Sequence, residues 1–563
     1  MEQRLIKIVG LNSRFTHSCL PLFYLRNELE TNCSAFSHEI IQLTINDNYY
    51  KTLLRITADS PKFVFFSAAV WNSSIIENLV QDINRCLPHC GIVIGGPQAG
   101  VLRERLASGA CTTVTGEIEA VDRDFYEDLA GECLKPRYEG SFFAMEKHSF
   151  SYPYREEDFE SHLKNRHVYY ESSRGCPFSC TYCLSAGERG VYHKDLADVE
   201  AELTDILHHQ PKVVRFIDRT FNDIPGRALA IWKFLAEQDG DTLFHFEIAP
   251  ERFSEEMFDF LATVPSGRFQ FEIGVQSTHV PTLEAVRRKA DPERVHDIVS
   301  RLAELQNIHL HIDLILGLPF ETKESFVRSF TALFAMGAHH IQMGLLKILP
   351  DTPICDSVDN FAYTSCVEPP YSILKSRWMD HDCLSELYWF SECVEKFMNN
   401  RYFVSLWRYL REGGDDISIF FTELLDICRQ SGFFQLAPTH GLMVEKLCGL
   451  LTGRKDWDLI RELLRYDWLR CGHRFLPEYL AIDGSCEQPA DTRKSLYRIL
   501  PEEIDSIYKK EGRNHFFKKS FFMRMSDRAL QAAGLSCSGR EGCVCIVRER
   551  EDNFYGFNKV LLF

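Results

Sequence analysis

The 563-residue sequence lacks several signatures that would assign it to a common class of protein. No apolar stretch reaches the roughly 18 residues expected of a membrane span. Neither G-x-G-x-x-G nor G-x4-G-K-[ST] occurs, which removes support for nicotinamide and P-loop nucleotide binding. Its 63 Lys and Arg are outnumbered by 80 Asp and Glu, so a nucleic acid held through its phosphates is not expected.

The sequence also begins without the long apolar core of a secretion signal, because the first ten residues hold only a short apolar run typical of a strand. Against this background, 20 cysteines need an explanation. A Cys-rich chain with no secretion signal is expected in a reducing compartment, with its thiols free or bound to metal. We therefore expect a cytoplasmic protein, with a length suited to roughly three or four domains.

Three cysteines lie close together: Cys176, Cys180 and Cys183 follow Gly175 in a C-x3-C-x2-C pattern. Three thiolates on such a loop can bind three irons of one [4Fe–4S] cluster, whereas these clusters normally have four Cys ligands. One iron would then be open to another ligand. The alternatives are three unrelated thiols or a zinc site without its fourth ligand. Zinc ligands usually come as two separated pairs, and no second C-x2-C pair occurs here.

The segment 1–133 alternates strand-like and helical stretches, which predicts a doubly wound, Rossmann-like parallel sheet. The strand-like runs are Ile6–Leu11, Ile40–Thr44, Phe63–Ser67, Gly91–Gly96 and Thr112–Gly116. Sheets of this kind bind ligands at the carboxyl ends of their strands. The candidate binding residues at or just after these ends are Asn12, His17, Ser67, Gly95, Gly96, Pro97, Gly116 and Glu117.

After an aromatic-rich linker at 134–166, the segment 167–365 predicts a partial (β/α)6 barrel of the TIM type. Its strand candidates are His167–Glu171, Val213–Asp218, Leu243–Ala249, Phe269–Val275, Ile308–Leu316 and His340–Ile348. Barrels of this kind carry their chemistry at the carboxyl ends of the strands, and the cysteine loop follows the first strand. The candidate residues near these ends are Asp218, Glu247, Glu272, Gln276, Ser277, Arg288 and Gly317. The alternative for each is an ordinary strand-end hydrogen bond.

The segment 366–563 is predicted to be mainly helical. Trp457, Ile460 and Trp468 recur at helical intervals, a stripe typical of a core. A second cysteine group follows, made up of Cys537, Cys543 and Cys545. It predicts either ordinary thiols or an auxiliary cluster, and nothing in this segment indicates a substrate.

Five blocks of sequence together resemble the cobalamin-dependent radical S-adenosylmethionine (SAM) enzymes, in a group with a C-terminal domain of unknown function. The blocks are Ser-Arg-Gly-Cys-Pro-Phe at 173–178, Phe-Ile-Asp-Arg-Thr-Phe-Asn at 216–222, Gly-Val-Gln-Ser at 274–277, Gly-Leu-Pro at 317–319 and Gln-Met-Gly-Leu-Leu-Lys-Ile-Leu at 342–349. Tyr182, just before the last cysteine of the loop, fits the same pattern. The resemblance implies that SAM occupies the open iron and that cobalamin binds the 1–133 domain.

By this resemblance, Glu272, Gln276, Ser277 and Arg288 line the ribose and carboxylate of SAM, and the turn at Gly317 supports its adenine. Two departures matter. The Gly-Gly-Glu that often holds the SAM amino group is replaced by Asp218-Arg-Thr. The Asp-x-His-x-x-Gly loop of many cobalamin domains is also missing, so we expect no strong cobalt ligand from His17. A receiver-like or flavodoxin-like sheet without a corrin remains the alternative for this domain.

The implied activity is methyl transfer to an unactivated carbon of a small molecule, using a 5′-deoxyadenosyl radical and methylcobalamin. The same cofactors also serve rearrangement, cyclisation or oxidation, and a non-enzymatic alternative is a corrinoid-binding sensor with a vestigial cluster. An electron donor such as flavodoxin or ferredoxin is implied, together with an anaerobic organism. No membrane partner is expected.

Overall fold

The computed structural model of the chain describes residues 4–140, 150–187, 190–473, 475–481, 520–535, 542–547 and 559–562, with isolated positions between 494 and 518. Two six-stranded parallel sheets and a helical region follow one another along these residues. Among the described helices, none is both long and apolar enough to cross a bilayer.

The N-terminal sheet has the strand order β2-β1-β3-β4-β5-β6, and every neighbouring pair is parallel. Its strands are β1 Leu5–Asn12, β2 Ser37–Thr44, β3 Phe63–Ser67, β4 Gly91–Gly95, β5 Thr112–Thr115 and β6 Arg137–Glu139. Its helices are α1 Pro21–Asn32, α2 Tyr49–Thr57, α3 Ser73–Cys86, α4 Ala99–Arg105 and α5 Arg123–Ala130. The order reverses at β1, which confirms the predicted doubly wound sheet and places its binding edge beside that strand.

The sheet continues beyond residue 133, into the stretch that the sequence predicts as linker. Strand β6 pairs with β5 from Thr113 to Thr115. Its sequence Arg-Tyr-Glu has one buried residue, Tyr138, between two exposed charges. A short charged edge strand of this kind carries no apolar run that could identify it. Helix α6, Glu156–Ser161, then leads towards the second sheet.

The second sheet has the strand order β14-β13-β12-β11-β10-β7, again parallel throughout. Its strands are β7 Val168–Tyr170, β10 Val213–Phe216, β11 Leu243–Ile248, β12 Phe269–Gln276, β13 His309–Leu316 and β14 His340–Leu345. The helices between them are α7 Leu196–His208, α8 Pro225–Ala236, α9 Glu255–Leu261, α10 Val280–Ala285, α11 Pro292–Glu304 and α12 Lys323–Ala335. Sequential order with helical crossovers confirms the predicted six-stranded partial barrel. An antiparallel hairpin of β8, Ser173–Cys176, and β9, Gly190–His193, follows β7.

Two central strands of the barrel, β12 and β13, alternate strictly between a buried and a less buried side. In β12, Phe269, Phe271 and Ile273 are fully buried, whereas Glu272 and Gln276 on the opposite side are only partly buried. A strand with period-two burial has its apolar side against the helices. The polar side therefore faces the interior of the barrel.

The remaining described chain is largely helical, as predicted, but it also contains strands. Its helices are α13 His381–Val394, α14 Val404–Glu412, α15 Ile417–Gln430, α16 His440–Leu451, α17 Trp457–Arg470 and α18 Asp527–Ala532. Its strands are β15 Thr364–Ser365, β16 Ile373–Lys375, β17 Ser520–Arg524, β18 Cys543–Val547 and β19 Lys559–Leu562, the last three forming an antiparallel sheet. The stripe containing Ile460 and Trp468 is buried on α17, which confirms its place in the core.

Candidate functional site

The three cysteines of the loop line one cavity of about 390 Å3 at the carboxyl ends of the barrel strands. Cys180 is buried, whereas Cys176 and Cys183 are partly exposed to the cavity, and all three are free thiols. Burial raises the pKa of the Cys176 thiol. The structure therefore brings the three candidate iron ligands to one place, at the mouth of the barrel.

The hairpin β8–β9 holds the cysteine loop in position. Gly175 has a positive φ of +100°, and a Cβ built there would lie 2.3 Å from the carbonyl oxygen of Gly190. Only glycine permits this approach of the two strands without strain. Further along, the backbone N–H of Thr181 donates to the carbonyl of Val286 at 3.0 Å. This bond ties the loop to the segment that carries Arg288.

Arg288, Gln276 and Tyr182 also line the cavity, as their predicted cofactor roles require. The Arg288 guanidinium donates to the Gly274 carbonyl, and its other terminal nitrogen lies 3.8 Å from the sulfur of Cys180. Gln276 has a φ of +71°, and its Oε1 has no hydrogen-bond partner among the described residues. A cation and a free amide oxygen are therefore available beside the cysteines.

Three other predicted residues lie outside the cavity lining and have partners within the protein. Asp218 accepts hydrogen bonds of 2.6 Å from the hydroxyls of Ser172 and Ser173. Ser277 donates to Glu321 at 2.8 Å, and the Gly317 carbonyl accepts from Tyr363 at 3.0 Å. These bonds fix the turns on which the cavity is built.

Glu321, which the sequence does not single out, has its side chain completely buried beside Ser277. Burial raises the pKa of Glu321 to about 8. The residue therefore holds a proton in the folded protein at a pH where it would be ionised in water.

The interior of the barrel below the cysteines contains several ionisable side chains. The Nε2 of His245 lies 2.8 Å from a carboxylate oxygen of Glu272 and 3.0 Å from the guanidinium of Arg215. Burial works to raise the pKa of Glu272, but His245 and the nearby positive charge outweigh it and hold the pKa at about 2. Burial and the charge of Glu272 raise the pKa of Glu247 to about 8 and that of Asp313 well above its usual value. Glu247 lines the cavity and Glu272 does not.

His17 comes from the N-terminal domain, yet it lines the same cavity. Its Nδ1 is in a short hydrogen bond with the hydroxyl of Tyr169, and its ring contacts His167 edge-on at 5.4 Å. Burial lowers the pKa of His17, with a further contribution from the positive charge of Arg215. The imidazole is thus neutral at pH 7 and anchored to the barrel.

The other N-terminal candidates are gathered at the carboxyl edge of the first sheet, since they follow β1, β3, β4 and β5. They are Asn12, Ser67, Gly95, Gly96, Pro97, Gly116 and Glu117, and none of them lines the barrel cavity. At two of these positions the packing of the protein itself requires glycine. A Cβ on Gly96 would lie 2.5 Å from the Ala68 carbonyl oxygen, and one on Gly116 would lie 2.1 Å from that of Gly140.

The first sheet's binding edge faces the barrel through an ion-pair cluster around Arg174. This guanidinium contacts Glu117 at 3.0 Å, Glu119 at 3.2 Å and Glu171 at 2.8 Å. Its side chain is only 13% exposed. Because Arg174 lies two residues before Cys176, the cluster links the candidate corrin edge to the cysteine loop.

Exposed aromatic side chains at this edge were not identified from the sequence. Trp71, after β3, is 55% exposed, and Phe15, after β1, is 58% exposed. The indole N–H of Trp71 donates to the Leu11 carbonyl at 3.2 Å, which holds the ring in place. Both rings lie at the edge where doubly wound sheets bind their ligands. No periodicity identifies them, because each lies alone in a loop.

Sequence analysis missed other residues that line the cavity, although a pattern in the sequence could have identified them. Arg215, His245 and Asp313 are polar residues within strands, at alternate positions to the apolar ones. Such alternation in a parallel sheet departs from the continuous apolar runs that are usual there. It indicates an interior face that is built for polar groups.

The second cysteine group is only partly described. Cys537 and the side chain of Cys543 lie outside the described residues, and the Cys543 backbone begins β18. Cys545 is buried in the same strand. An auxiliary cluster therefore stays a prediction.

Comparison with protein families places two domains on the chain. Residues 170–333 match the radical SAM superfamily, and residues 359–532 match a protein family of unknown function, DUF4080. The chain thus carries a radical SAM domain followed by a domain of unknown function. Both parts of this arrangement confirm the prediction from sequence.

Individual relatives agree with this assignment. Over 194 residues the chain is 28% identical to the cobalamin-dependent radical SAM methyltransferase TokK of Streptomyces tokunonensis. The match covers 33% of this chain and 28% of the relative. The chain therefore spans less than a third of the length of that protein.

Two solved structures share the fold over a larger part of the chain. The radical SAM methyltransferase TsrM of Kitasatospora setae, with tryptophan and a SAM analogue, has a TM-score of 0.52 at 17% identity, covering 66% of this chain and 80% of its own. The cobalamin-dependent SAM radical enzyme OxsB, with aqua-cobalamin, has a TM-score of 0.57 at 14% identity, covering 83% and 80%. At such identities the likeness is one of fold.

Proposed function

We propose that this protein is a cobalamin-dependent radical SAM enzyme that methylates an unactivated carbon of a small molecule. The observation that carries the proposal is the cavity of about 390 Å3, which is lined together by the three cysteines, by barrel strand ends and by His17 of the N-terminal domain. Its size is within the range of small-molecule sites. Residues 1–133, with the added strand β6, are assigned to cobalamin, and residues 167–365 to the cluster and SAM.

The residues around the cysteines fit a [4Fe–4S] cluster with SAM. Three free thiols at one cavity offer three ligands and leave the fourth iron open. The guanidinium of Arg288, 3.8 Å from the sulfur of Cys180, favours the thiolate form that iron requires. The same guanidinium is suited to a carboxylate, and the unpartnered Oε1 of Gln276 is suited to a ligand donor.

The carboxyl edge of the first sheet fits a large, flat ligand. Trp71 and Phe15 expose their rings there, and the contacts of Arg174 with Glu117 turn the edge towards the cysteine loop. Crevices at such an edge are the usual binding place in doubly wound sheets. His17 lines the barrel cavity, apart from the other candidates at this edge, which agrees with the expectation that it is no strong cobalt ligand.

When bound, the cluster and SAM supply a 5′-deoxyadenosyl radical, and cobalamin supplies the methyl group. The protein binds and orients these groups at the mouth of the barrel. Electrons would come from a donor such as flavodoxin or ferredoxin. TokK and TsrM, which this chain resembles, are both methyltransferases, and this favours methyl transfer over rearrangement.

The test is product analysis of the anaerobically reconstituted full-length protein with SAM, cobalamin and a reductant. Methyl transfer consumes two SAM molecules, and it yields S-adenosylhomocysteine and 5′-deoxyadenosine in equal amounts. Rearrangement, cyclisation or oxidation would yield 5′-deoxyadenosine without S-adenosylhomocysteine, and a sensor would yield neither. Cys355→Ala is the matched control for loss of a loop cysteine, because Cys355 is a free thiol that does not line the cavity.

A further inference from the structure

A set of one imidazole and two carboxylates lies on adjacent strands inside the barrel. The Nε2 or Nδ1 of His245 and carboxylate oxygens of Glu247 and Glu272 all lie within 4.8 Å of one another. The strands β11 and β12 fix this arrangement, because Glu247 and Glu272 are partners in the parallel register. We propose that these three side chains bind a divalent first-row transition metal ion, separate from the iron–sulfur cluster.

The hydrogen bonds around His245 are in conflict when no metal is bound. Its Nε2 lies 2.8 Å from an acceptor, the carboxylate of Glu272, and 3.0 Å from a donor, the guanidinium of Arg215. A neutral imidazole nitrogen either donates or accepts, so it satisfies only one of these neighbours. A metal ion in the place of the guanidinium satisfies both, since it takes the lone pair of Nε2 and an oxygen of Glu272.

A carboxylate next to these ligands also lacks a partner. The Oδ1 of Asp313, which lines the same cavity as Glu247, is buried without a hydrogen-bond partner in the part of the chain that the structure describes. Arg215 is 3.5 Å from Glu272. A buried carboxylate needs compensating charge when it is ionised, and a divalent cation between these side chains would provide it.

The donor set selects the class of metal. One imidazole with two carboxylates is typical of Zn²⁺, Fe²⁺ or Mn²⁺, whereas sites for Ca²⁺ and Mg²⁺ use oxygen alone. A further imidazole is close: His311 is the register partner of Glu272 on β13, and its Nε2 has no hydrogen-bond partner among the described residues. The cavity beside Glu247 gives the ion a way in.

This assignment does not depend on the proposed function, since it concerns the protein before SAM or cobalamin is added. It does replace the predicted roles of Glu247 and Glu272 towards SAM. The assignment also gives Arg215 a role, as the positive charge at the site before the metal ion binds. The guanidinium, whose side chain is 26% exposed, occupies the place of the ion and must move aside when the ion binds.

The experiment is a titration of the full-length, iron-free protein with Mn²⁺, followed by the loss of the electron paramagnetic resonance signal of the hydrated ion. Mn²⁺ is chosen because thiolates are poor ligands for it, so the cysteine loop does not compete. We expect one tightly bound Mn²⁺ per chain. Both Glu272→Gln and His245→Gln should weaken binding at least tenfold, and the ¹⁴N coupling to the bound ion should disappear in His245→Gln.

Two further variants make the test specific. Arg215→Met should bind Mn²⁺ more tightly than the wild type, because a competing positive charge is removed. Glu202→Gln should leave binding unchanged, since Glu202 is similarly buried but pairs with Lys194 away from the cavity. The proposal is overturned if no stoichiometric Mn²⁺ binds, if Glu272→Gln binds as the wild type does, or if Arg215→Met binds more weakly. Should a ligand variant fail to fold, Arg215→Met alone decides.

Discussion

The two parallel sheets of this protein have six strands each, yet they bury their residues in different ways. Strand β1 of the first sheet is buried on both faces, with Ile6, Ile8 and Val9 packed inside. Strand β13 of the barrel buries Leu310 and Ile312 on one side only and presents His311 and Asp313 on the other. The first sheet can therefore bind a ligand only at its edge, whereas the barrel has an interior face.

The largest effect is expected from substitutions in the cysteine loop at the mouth of the barrel, because the barrel and not the first sheet should hold the cluster. Replacing Cys176, Cys180 and Cys183 by Ala should remove the roughly four irons of one cluster and abolish 5′-deoxyadenosine formation. Iron analysis and absorbance of the reconstituted protein measure this. Cys355→Ala should keep both. A triple variant with full iron content would show that the cluster is elsewhere.

The next largest effect is expected at Arg288, which faces the cavity beside Cys180. Loss of its charge-assisted bond to the SAM carboxylate should weaken SAM binding by roughly ten- to a hundredfold in Arg288→Ala, or about 1.5–3 kcal/mol. Cobalamin affinity should not change, and the cluster should still assemble because all three loop cysteines remain. The matched control is Arg287→Ala, because Arg287 is the exposed neighbour. Equal SAM affinity in the two variants would show that another residue binds the SAM carboxylate. Arg219 and Lys347 would then be tested next.

The barrel's buried ionisable groups predict a pH dependence that an apolar sheet would not have. The pKa of Glu321 is raised by burial to about 8, so the folded state keeps a proton that the unfolded state releases above pH 4.5. Stability should therefore fall as the pH rises from about 5 to 8, by roughly 3–4 kcal/mol from this group. Urea unfolding of wild type and Glu321→Gln at both pH values measures it. A loss of equal size in the variant would contradict the assignment.

At the edge of the first sheet, two neighbouring glycines should respond differently. Gly96→Ala forces a side chain at a φ of +94° and against the Ala68 carbonyl, so it should cost about 1–2 kcal/mol and weaken cobalamin binding. Gly95→Ala meets nothing closer than 3.8 Å and should be tolerated. Thermal unfolding and cobalamin titration compare the two. Equal behaviour would mean that the turn is not tightly packed.

The smallest effect is expected at His17, where the two regions meet. His17→Ala should not change the nitrogen splitting in the paramagnetic spectrum of bound Co(II) cobalamin, because His17 lies outside an Asp-x-His-x-x-Gly pattern and lines the barrel cavity. Co(II) resonance spectra of wild type and variant measure this. Nitrogen splitting that is present in the wild type and lost in the variant would identify His17 as a cobalt ligand.

Much of this architecture could be predicted from sequence because it depends on local patterns. Apolar runs such as Phe63–Ser67 marked the strands of both sheets, and the spacing of Cys176, Cys180 and Cys183 marked the loop. The hairpin strand Ser173–Cys176 was missed, since Ser-Arg-Gly-Cys has no strand propensity and is held by its partner. The strand Cys543–Val547 was missed within a segment predicted to be mainly helical.

The site's contacts could be predicted less well, because they depend on distance in space. The pairing of His245 with Glu272 requires the register between β11 and β12, which no single-strand pattern gives. The contact of Arg174 with Glu117 joins residues 57 positions apart in different domains. The hydrogen bond from Ser277 to Glu321 likewise joins residues that follow two different strands.

The ion-pair cluster around Arg174 has a practical consequence for dividing the protein into parts. A barrel expressed alone would lose Glu117 and Glu119, two of the three carboxylates that balance this largely buried guanidinium. Arg174 would then be left with Glu171 on a newly exposed surface, two residues from the first cysteine of the loop. The isolated barrel is therefore a poor stand-in for the whole chain, and both sheets should be kept in one polypeptide when the cluster is assembled.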